Sequence, residues 1–266
     1  MDLSYEETNK KLSTRINVHN KFSEKDIDPW TKNLVDIKPG ETILEVGCGN
    51  GKQVRLYADL LMNQGKIFAC DISEGLLEEA KASTTNKGFN NITFFNHDMN
   101  NGFEFEDNSF DLVSCCFAIY YVKDSEKLIN EFKRILKPGG RLFIMGPSPK
   151  NTEEFWNLHG KVAGSIPPKA LIRRSRIEKE FIPFIKEQFV DVSINIFNNN
   201  IAFPSTDDVL NYYTHSLLFK DGIADSEKEF VLKKMEQEIK DEIQNSGEYI
   251  LKKEVYGVIA HKDMKK

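Results

Sequence analysis

The sequence has few of the residues that mark secreted, metal-binding or membrane-spanning proteins. It contains four cysteines in 266 residues, at positions 48, 70, 115 and 116, with no CxxC pair and no histidine group nearby. Free thiols in a reducing compartment are therefore preferred over a disulfide or a metal site. No apolar run approaches the roughly 18 residues of a membrane helix. The polar start MDLSYEETNKK is unlike a secretion signal, so we expect a cytoplasmic protein with no membrane partner.

An excess of positive charge is also lacking. The chain carries 36 Lys and Arg against 41 Asp and Glu, a formal net charge of −5. A surface that binds a nucleic-acid duplex usually needs a clear excess of basic residues, so nucleic acid is not expected as a partner. The one local exception is the basic run KALIRRSRIEK, residues 169–179. We interpret it as a solvated helix face in preference to a phosphate-binding patch.

The segment from residue 42 to about 146 alternates short β-type runs with helical patterns. Helices are predicted after Gly51, after a cap at Ser73, and over about 124–136. The predicted strands between them are TILEV, KIFACD, NITFFN, FDLVSCC and RLFIM. Several of these runs lack polar alternation, as buried parallel strands do. The order predicts a Rossmann-like α/β fold, an open doubly wound sheet with helices on both faces.

Beyond residue 150 the pattern is less regular. It predicts helices over 151–160 and 175–188, a strand at 190–198, two helices within 205–245 and a last strand at 249–262. The last two strands are expected to pair as an antiparallel edge, with a helical insertion at about 199–246 as a candidate lid. We expect one domain, made of an N-terminal cover (1–38), a core (39–150) and an acceptor-side region (151–266).

Candidate ligand-binding residues follow the first two predicted strands, since ligands of open α/β sheets bind at the carboxyl ends of the strands. Glu45 leads into GCGNG, where Gly47, Gly49 and Gly51 permit positive φ and the approach of backbone N–H groups to a ligand. The second strand ends in Asp71, twenty residues after Gly51. A carboxylate there can accept hydrogen bonds from both hydroxyls of a ribose.

The kind of nucleotide follows from neighbouring positions. The third strand leads to Asp98 and Met99, which suit the exocyclic amine and the face of an adenine. A dinucleotide loop, G-x-G-x-x-G, would need glycine at position 52, where this chain has Lys52. A charged Glu45 would repel a pyrophosphate and favour an ammonium group and a sulfonium centre. The residues predict a site for an adenosine attached to an amino acid.

These motifs together resemble the class I S-adenosylmethionine-dependent methyltransferases, of the bacterial small-molecule type. The matching stretches are Glu45 to Gly51, Asp71, HDM at 97–99, FDLVSCCFAIYYV at 110–122 and LKPGGRLFI at 136–144. The resemblance implies S-adenosylmethionine as cofactor and a seven-stranded sheet of order 3-2-1-4-5-7-6 with strand 7 antiparallel. The positions it implies for cofactor binding are Glu45, Gly47, Cys48, Gly49, Gly51, Asp71, Ile72, Asp98, Met99, Cys115 and Phe117.

Three residues are candidates for a catalytic base. Residues 15–30 look like the N-terminal cover of such enzymes, and His19 within it is either a lid contact or base, or a surface or capping histidine. Tyr121 follows the fourth strand, where it faces the site or packs under the next helix. His159 lies in the acceptor-side region. A carbon or anionic oxygen acceptor would need no base.

The acceptor is narrowed by motifs that the chain lacks. No [NDS]-P-P-[YF] follows the fourth strand, which lowers the case for amino groups of adenine or glutamine. Cys115 and Cys116 are interpreted as packing residues rather than as an RNA-cytosine nucleophile, and no metal motif is evident, so we expect a metal-free transfer. Aromatic residues suggest a partly apolar small-molecule acceptor, or a plain core: Phe155, Trp156, Phe203, Tyr212, Tyr213 and Phe219. The alternatives are a methyltransferase acting on RNA or protein, and a non-catalytic S-adenosylmethionine-binding module.

Overall fold

Seven strands form one sheet in the order β3-β2-β1-β4-β5-β7-β6 in a computed structural model that describes residues 9–264. The strands are β1 Thr42–Val46, β2 Lys66–Asp71, β3 Ile92–Asn96, β4 Phe110–Cys116, β5 Leu136–Pro147, β6 Val190–Phe203 and β7 Tyr249–His261. The pairs among β1 to β5 are parallel, and β7 runs antiparallel to both β5 and β6. The predicted sheet order and the antiparallel β7 are confirmed.

Helices cover both faces of this sheet. They are α1 Asn9–Phe22, α2 Asp28–Val35, α3 Lys52–Leu61, α4 Glu74–Thr85, α5 Ser125–Ile135, α6 Glu153–Ala163, α7 Pro168–Arg176, α8 Ile182–Gln188, α9 Thr206–Thr214, α10 Leu217–Gly222 and α11 Lys228–Ser246. The predicted Ser73 cap is present, since its side chain accepts a hydrogen bond from the Leu76 N–H at 3.4 Å. A π-helical turn, Ile177–Phe181, joins α7 to α8.

Two apolar cores lie on the two faces of the sheet. On one face, α2, α3 and α4 bury residues such as Val35, Leu61 and Leu77 against the strands. On the other face, α5 and α8 bury residues such as Phe132 and Ile185. Because the central strands are covered on both sides, their sequences are almost continuously apolar. The helices therefore leave the carboxyl ends of the strands as the edge at which side chains from several strands can meet.

The last two strands extend beyond that edge as a two-stranded ribbon. The β5–β7 pairing ends at Pro147 opposite Val255, whereas β6 and β7 stay paired from Asn198 opposite Glu254 to Phe203 opposite Tyr249. Helices α1, α6, α9, α10 and α11, here called the cap, surround this ribbon with a third apolar cluster. The end of α1 is fastened to it, because Asn199 bonds the backbone N–H and C=O of Lys25 at 3.0 and 2.9 Å.

The structure differs from the sequence-based prediction in three element boundaries. The strand expected to end at 198 continues to Phe203, because its later side chains enter the cap core, so the insertion starts at Thr206 rather than 199. The insertion holds three α-helices instead of two, since Ser216 caps an additional short helix. The helix expected from 175 starts at Pro168, whose fixed φ suits the first turn.

All four cysteines are free thiols, and all are buried. Within residues 9–264, no helix is long and apolar enough to cross a membrane. The same range contains no group of three or more His, Cys, Asp or Glu placed to hold a metal ion.

Candidate active site

Gly47 stands where the ends of three strands meet. Its φ is +70°, and a Cβ added to it would lie 2.4 Å from the Cβ of Ala118 and 3.8 Å from the Cε of Met99. Ala118 follows β4 and Met99 follows β3, so the loop after β1 runs directly against both chains. Glycine is required here both by the left-handed backbone and by the lack of space.

The loop N–H groups are already bonded within the protein. The N–H groups of Gly47 and Cys48 both donate to the Cys70 carbonyl, at 2.8 and 2.9 Å. The Gly49 N–H donates to Oδ2 of Asp71 at 2.8 Å. The Gly51 N–H donates to the Cys48 carbonyl at 3.0 Å, so the N–H groups of all three predicted glycines have partners within the protein. The glycines here provide close approach of the backbone, with no Cβ in the way.

Asp71 links the end of β2 to this loop. Its Oδ1 accepts a hydrogen bond from the Ser73 N–H at 2.9 Å, while Oδ2 accepts from Gly49. Burial raises the pKa of Asp71, and these backbone hydrogen bonds oppose the shift. Each carboxylate oxygen has a second lone pair, so the group keeps capacity to accept from the hydroxyls of a ribose. The next residue, Ile72, is 57 % exposed and presents an apolar side chain beside it.

Asp98 and Met99 follow β3, as the sequence places them. Oδ1 of Asp98 accepts from both the backbone N–H and the side-chain amide of Asn100, at 2.9 and 2.6 Å. These bonds fix the turn that carries Met99, whose side chain is half-buried against the main core. The two residues therefore stand on an ordered turn next to Gly47.

Phe117, just after β4, is exposed, whereas Cys115 on that strand and Cys48 in the glycine loop are buried. Phe117 has φ +55° and is 40 % exposed, and its N–H donates to the Met145 carbonyl at 2.7 Å. Cys115 is completely buried in the core and Cys48 nearly so; burial raises the pKa of both thiols. Cys48 therefore contributes its backbone to the loop. Cys115 is withdrawn from the candidate site, because its side chain has no exposed surface.

Glu45 is buried below the loop. It is 1 % exposed, and burial raises its pKa to about 8, a shift that hydrogen bonds from Ser114 and Cys116 reduce. Burial therefore favours the protonated form of this carboxyl, whereas the sequence suggested a charged Glu45 at the loop. Its Oε2 is buried without a hydrogen-bond partner among the described residues. An ammonium group would supply one.

Two residues of this buried network were missed by the sequence analysis. The Tyr57 hydroxyl, from α3, lies 2.8 Å from the Ser114 hydroxyl on β4, and both residues are completely buried. Ser114 Oγ also lies 3.5 Å from the Cys116 sulfur, and Ser114 lowers the pKa of Glu45. A serine in the buried part of the run FDLVSCC, together with a tyrosine on the apolar face of the helix after β1, is the signal that could have indicated it.

The three candidate bases fall into two groups. The rings of His19 and Tyr212 pack edge to face with centroids 6.1 Å apart, and Nδ1 of His159 lies 2.7 Å from the Tyr213 hydroxyl. Both histidines thus contact α9 in the cap. Tyr121 instead follows β4, in a 3-10 turn at residues 119–121.

His159 is the most buried of the three candidates. It has no exposed surface, and burial lowers its pKa, so the neutral imidazole is favoured. Its Nε2 is buried without a hydrogen-bond partner among residues 9–264. A neutral ring with one nitrogen unengaged is the form that accepts a proton.

The basic run at 169–179 is not a solvated helix face. Arg173 and Arg176 are 5 % and 3 % exposed. Nη1 of Arg176 donates to the carbonyls of Tyr120 and Val122, at 3.0 and 2.5 Å, which fastens α7 to the turn after β4. A helix predicted to start at residue 175 leaves Arg173 and Arg174 outside it; Pro167 and Pro168 ahead of the arginines indicate the earlier start.

A sequence model described as "Methyltransferase domain" matches residues 37–261. The chain belongs to this methyltransferase family. The match covers the whole sheet and most of the cap. Together with the glycine loop and the sheet order, it confirms the prediction of a class I S-adenosylmethionine-dependent methyltransferase.

Curated relatives of this methyltransferase match over part of their length. It is 30 % identical over 134 residues to the ubiquinone/menaquinone biosynthesis C-methyltransferase UbiE of Teredinibacter turnerae, covering 49 % of this chain and 53 % of that protein. It is 32 % identical over 120 residues to the UbiE protein of Francisella tularensis subsp. novicida, covering 44 % and 48 %. The chain spans about half the length of these relatives.

Solved structures with the same fold cover nearly the whole methyltransferase. The YcgJ protein of Bacillus subtilis superposes with a TM-score of 0.61 at 17 % identity, over 89 % of this chain and 97 % of that one. A SAM-dependent methyltransferase of Aquifex aeolicus gives a TM-score of 0.56 at 14 % identity, over 97 % and 100 %. At such low identity these matches show the shared fold alone.

Proposed function

We propose that this protein transfers a methyl group from S-adenosylmethionine to a small-molecule acceptor, with oxygen, nitrogen or carbon as the nucleophile and without a metal. The observation that carries the proposal is the convergence at Gly47. The glycine loop, Asp71 and the turn with Asp98 and Met99 come together there, from the ends of three neighbouring strands.

The residues at this edge fit the proposed cofactor. The unpartnered Oε2 of Glu45 suits the ammonium of its methionine part. Asp71 has acceptor capacity for the ribose hydroxyls. The exposed side chains of Ile72 and Phe117 and the half-buried Met99 provide apolar surface for the adenine. When bound, S-adenosylmethionine supplies a methyl group already activated by a sulfonium centre.

The protein's own task is then to orient the acceptor and exclude water. Orientation of two reactants can contribute on the order of 7–11 kcal/mol in ideal cases. The cap stands on the ribbon that extends beyond the carboxyl edge of the sheet, and its core is aromatic, with Phe155 packed against Tyr213 at a centroid distance of 5.4 Å. We propose that the cap helps to exclude water from the site. If the acceptor must lose a proton, we propose His159 as the base, because its neutral ring has one unengaged nitrogen. The name C-methyltransferase of the relatives makes carbon one acceptor atom to test.

Isothermal titration calorimetry tests the cofactor site. Purified protein should bind S-adenosylmethionine and S-adenosylhomocysteine, and Asp71→Ala should abolish both. Glu78→Gln, at an exposed position on α4, is the matched control and should bind as the wild type does. A folded wild-type protein that gives no heat with either ligand would contradict the proposal.

A turnover screen separates catalysis from simple binding. Release of S-adenosylhomocysteine with any member of a panel of small hydroxyl, amine and carbon-acid acceptors would support an enzyme. Binding without turnover across the panel would support a cofactor-binding module instead. An RNA or protein acceptor has little support, since the arginines that suggested a basic docking surface are largely buried.

A further inference from the structure

Two consecutive arginines of α7 stack on aromatic rings from two different walls of the molecule. The guanidinium carbon of Arg173 lies 5.1 Å from the centroid of the Tyr121 ring, at the end of β4. That of Arg174 lies 4.8 Å from the centroid of the Trp156 ring, on α6 of the cap. The pair therefore spans the boundary between the cofactor edge of the sheet and the cap.

Both guanidinium groups are largely removed from water. Arg173 is 5 % exposed, and the side chain of Arg174 is 13 % exposed. A buried cation is costly unless an anion or several hydrogen bonds compensate it. For Arg174, the recorded carboxylate is that of Glu153, 4.0 Å from Nη2 and itself 57 % exposed. This is a long and weak pair, so Arg174 is poorly compensated.

Arg174 also has hydrogen-bond donors that are available to an anion. Its Nε and Nη2 are buried, and neither has a hydrogen-bond partner among the described residues. Stacking occupies the face of a guanidinium and leaves the N–H groups at its edge able to donate. Nε and one Nη form the fork that binds a carboxylate or a phosphate through two parallel hydrogen bonds.

Contacts of α7 connect these groups to the glycine loop through the turn after β4. Arg176 fastens the helix to this turn by donating to the carbonyls of Tyr120 and Val122. The same turn begins beside Ala118, the residue packed against Gly47. An anion held by Arg174 would thus lie between this turn and the cap, beside Trp156.

We propose that Arg174 binds an oxyanion of the acceptor, which is therefore a small organic acid or phosphate ester. This inference rests on the proposed function, since it names the substrate class of the same site. Arg176 has a different role, as it positions α7 through the turn. The aromatic rings under both guanidinium groups hold them in place for a planar, two-oxygen ligand.

Tryptophan emission can measure this binding directly. The chain has two tryptophans, so a Trp30→Phe background leaves Trp156, under Arg174, as the sole reporter. The probes are inorganic phosphate and benzoate as anions and benzamide as a neutral control. Each is titrated at constant ionic strength, with and without S-adenosylhomocysteine. We expect a saturable change in Trp156 emission with phosphate or benzoate and none with benzamide. The anion that binds more tightly shows whether the site prefers a phosphate or a carboxylate.

Substitutions assign the effect to the arginine. Arg174→Gln should weaken the preferred anion at least about tenfold. Arg174→Lys keeps the positive charge but lacks the two-donor fork, so its affinity for the anion should lie between those of the background and of Arg174→Gln. This second variant tests the inference even if Arg174→Gln folds poorly. Lys179→Gln, an exposed cation of the following turn, is the control and should bind as the background does.

The outcomes separate this inference from the function on which it rests. Anion binding no tighter than benzamide binding, or equal losses in Arg174→Gln and Lys179→Gln, would overturn the inference. If calorimetry shows that S-adenosylhomocysteine binds while the anions do not, the cofactor proposal stands and the acceptor proposal fails. A folded protein that binds anions through Arg174 but binds no S-adenosylhomocysteine would refute the methyltransferase proposal instead.

Discussion

The carboxylate of Asp71 and the backbone N–H of Gly49 are joined by a hydrogen bond of 2.8 Å across the mouth of the glycine loop. The other carboxylate oxygen holds the Ser73 N–H at 2.9 Å. In Asp71→Asn, an NH2 group replaces one carboxylate oxygen; because this group donates and cannot accept, one backbone N–H loses its partner. We expect a loss of about 1 kcal/mol in the free energy of unfolding. Affinity for S-adenosylmethionine should fall with it.

Chemical denaturation and calorimetry measure these two losses. Asp124→Asn provides the control, because Asp124 caps α5 with a single oxygen, bonded to the Lys127 N–H at 2.9 Å. Asparagine caps helices about as well as aspartate, so this variant should match the wild type in both measurements. An Asp71→Asn variant that matches the wild type in both would show that the link to Gly49 does not shape the loop.

Gly47→Ala should abolish cofactor binding and destabilise the fold. The new Cβ would meet the Cβ of Ala118 at 2.4 Å, on a backbone with φ +70°. Gly88 separates the two causes, since its φ is +79° but nothing lies within 4 Å of an added Cβ. Gly88→Ala should cost about 1–2 kcal/mol in unfolding free energy through backbone strain, and Gly47→Ala clearly more. Equal losses in the two variants would rule out crowding by Ala118.

Glu45 makes stability fall as pH rises. Its pKa is raised in the folded protein from about 4.5 to about 8, so between those values the unfolded chain loses the proton and the folded chain keeps it. Deprotonation thus favours unfolding, by at most about 1.4 kcal/mol per pH unit. Glu45→Gln lacks this term, so its stability relative to the wild type should increase from pH 5 to pH 8 in urea titrations. A constant difference across that range would show that Glu45 is ionised in the native state.

His159 should make the folding stability fall as the pH falls, the opposite of the effect of Glu45. Burial lowers its pKa, so below the ordinary histidine value of about 6.5 the unfolded chain gains a proton that the folded chain refuses. The wild type should therefore lose stability relative to His159→Gln as pH falls from 7 to 5. A base of lowered pKa also predicts that any turnover found persists at pH 6.

The sequence was most informative where local chemistry and sheet position coincide. The three loop glycines, Asp71 and Asp98 follow β-type runs, and the edge of a parallel sheet brings strand ends together. Contacts between segments that are far apart in the chain could not be predicted from the sequence. That His159 meets Tyr213 in the cap, while Tyr121 lies at the end of β4, depends on packing between helices far apart in sequence.

Charge and burial were harder to predict than the position of a residue in the fold. Glutamate is usually charged and exposed, but β1 is covered on both faces. The neighbouring sequence does not indicate that the Glu45 carboxyl is shielded from water. The arginines of α7 show the same difficulty in reverse. A run of cations is usually solvated, and here aromatic rings and backbone carbonyls from other elements enclose it.

The ribbon formed by β6 and β7 bears on how ligands enter and leave. Six successive residue pairs, from Asn198–Glu254 to Phe203–Tyr249, carry the cap beyond the sheet without a break. A hinge at its base would have to disrupt a continuous hydrogen-bonded ladder, so we expect the cap to swing less freely than a lid attached by loops. Ligands would then enter and leave between neighbouring helices. Turnover would then be paced by small sliding motions of packed helices rather than by one large opening.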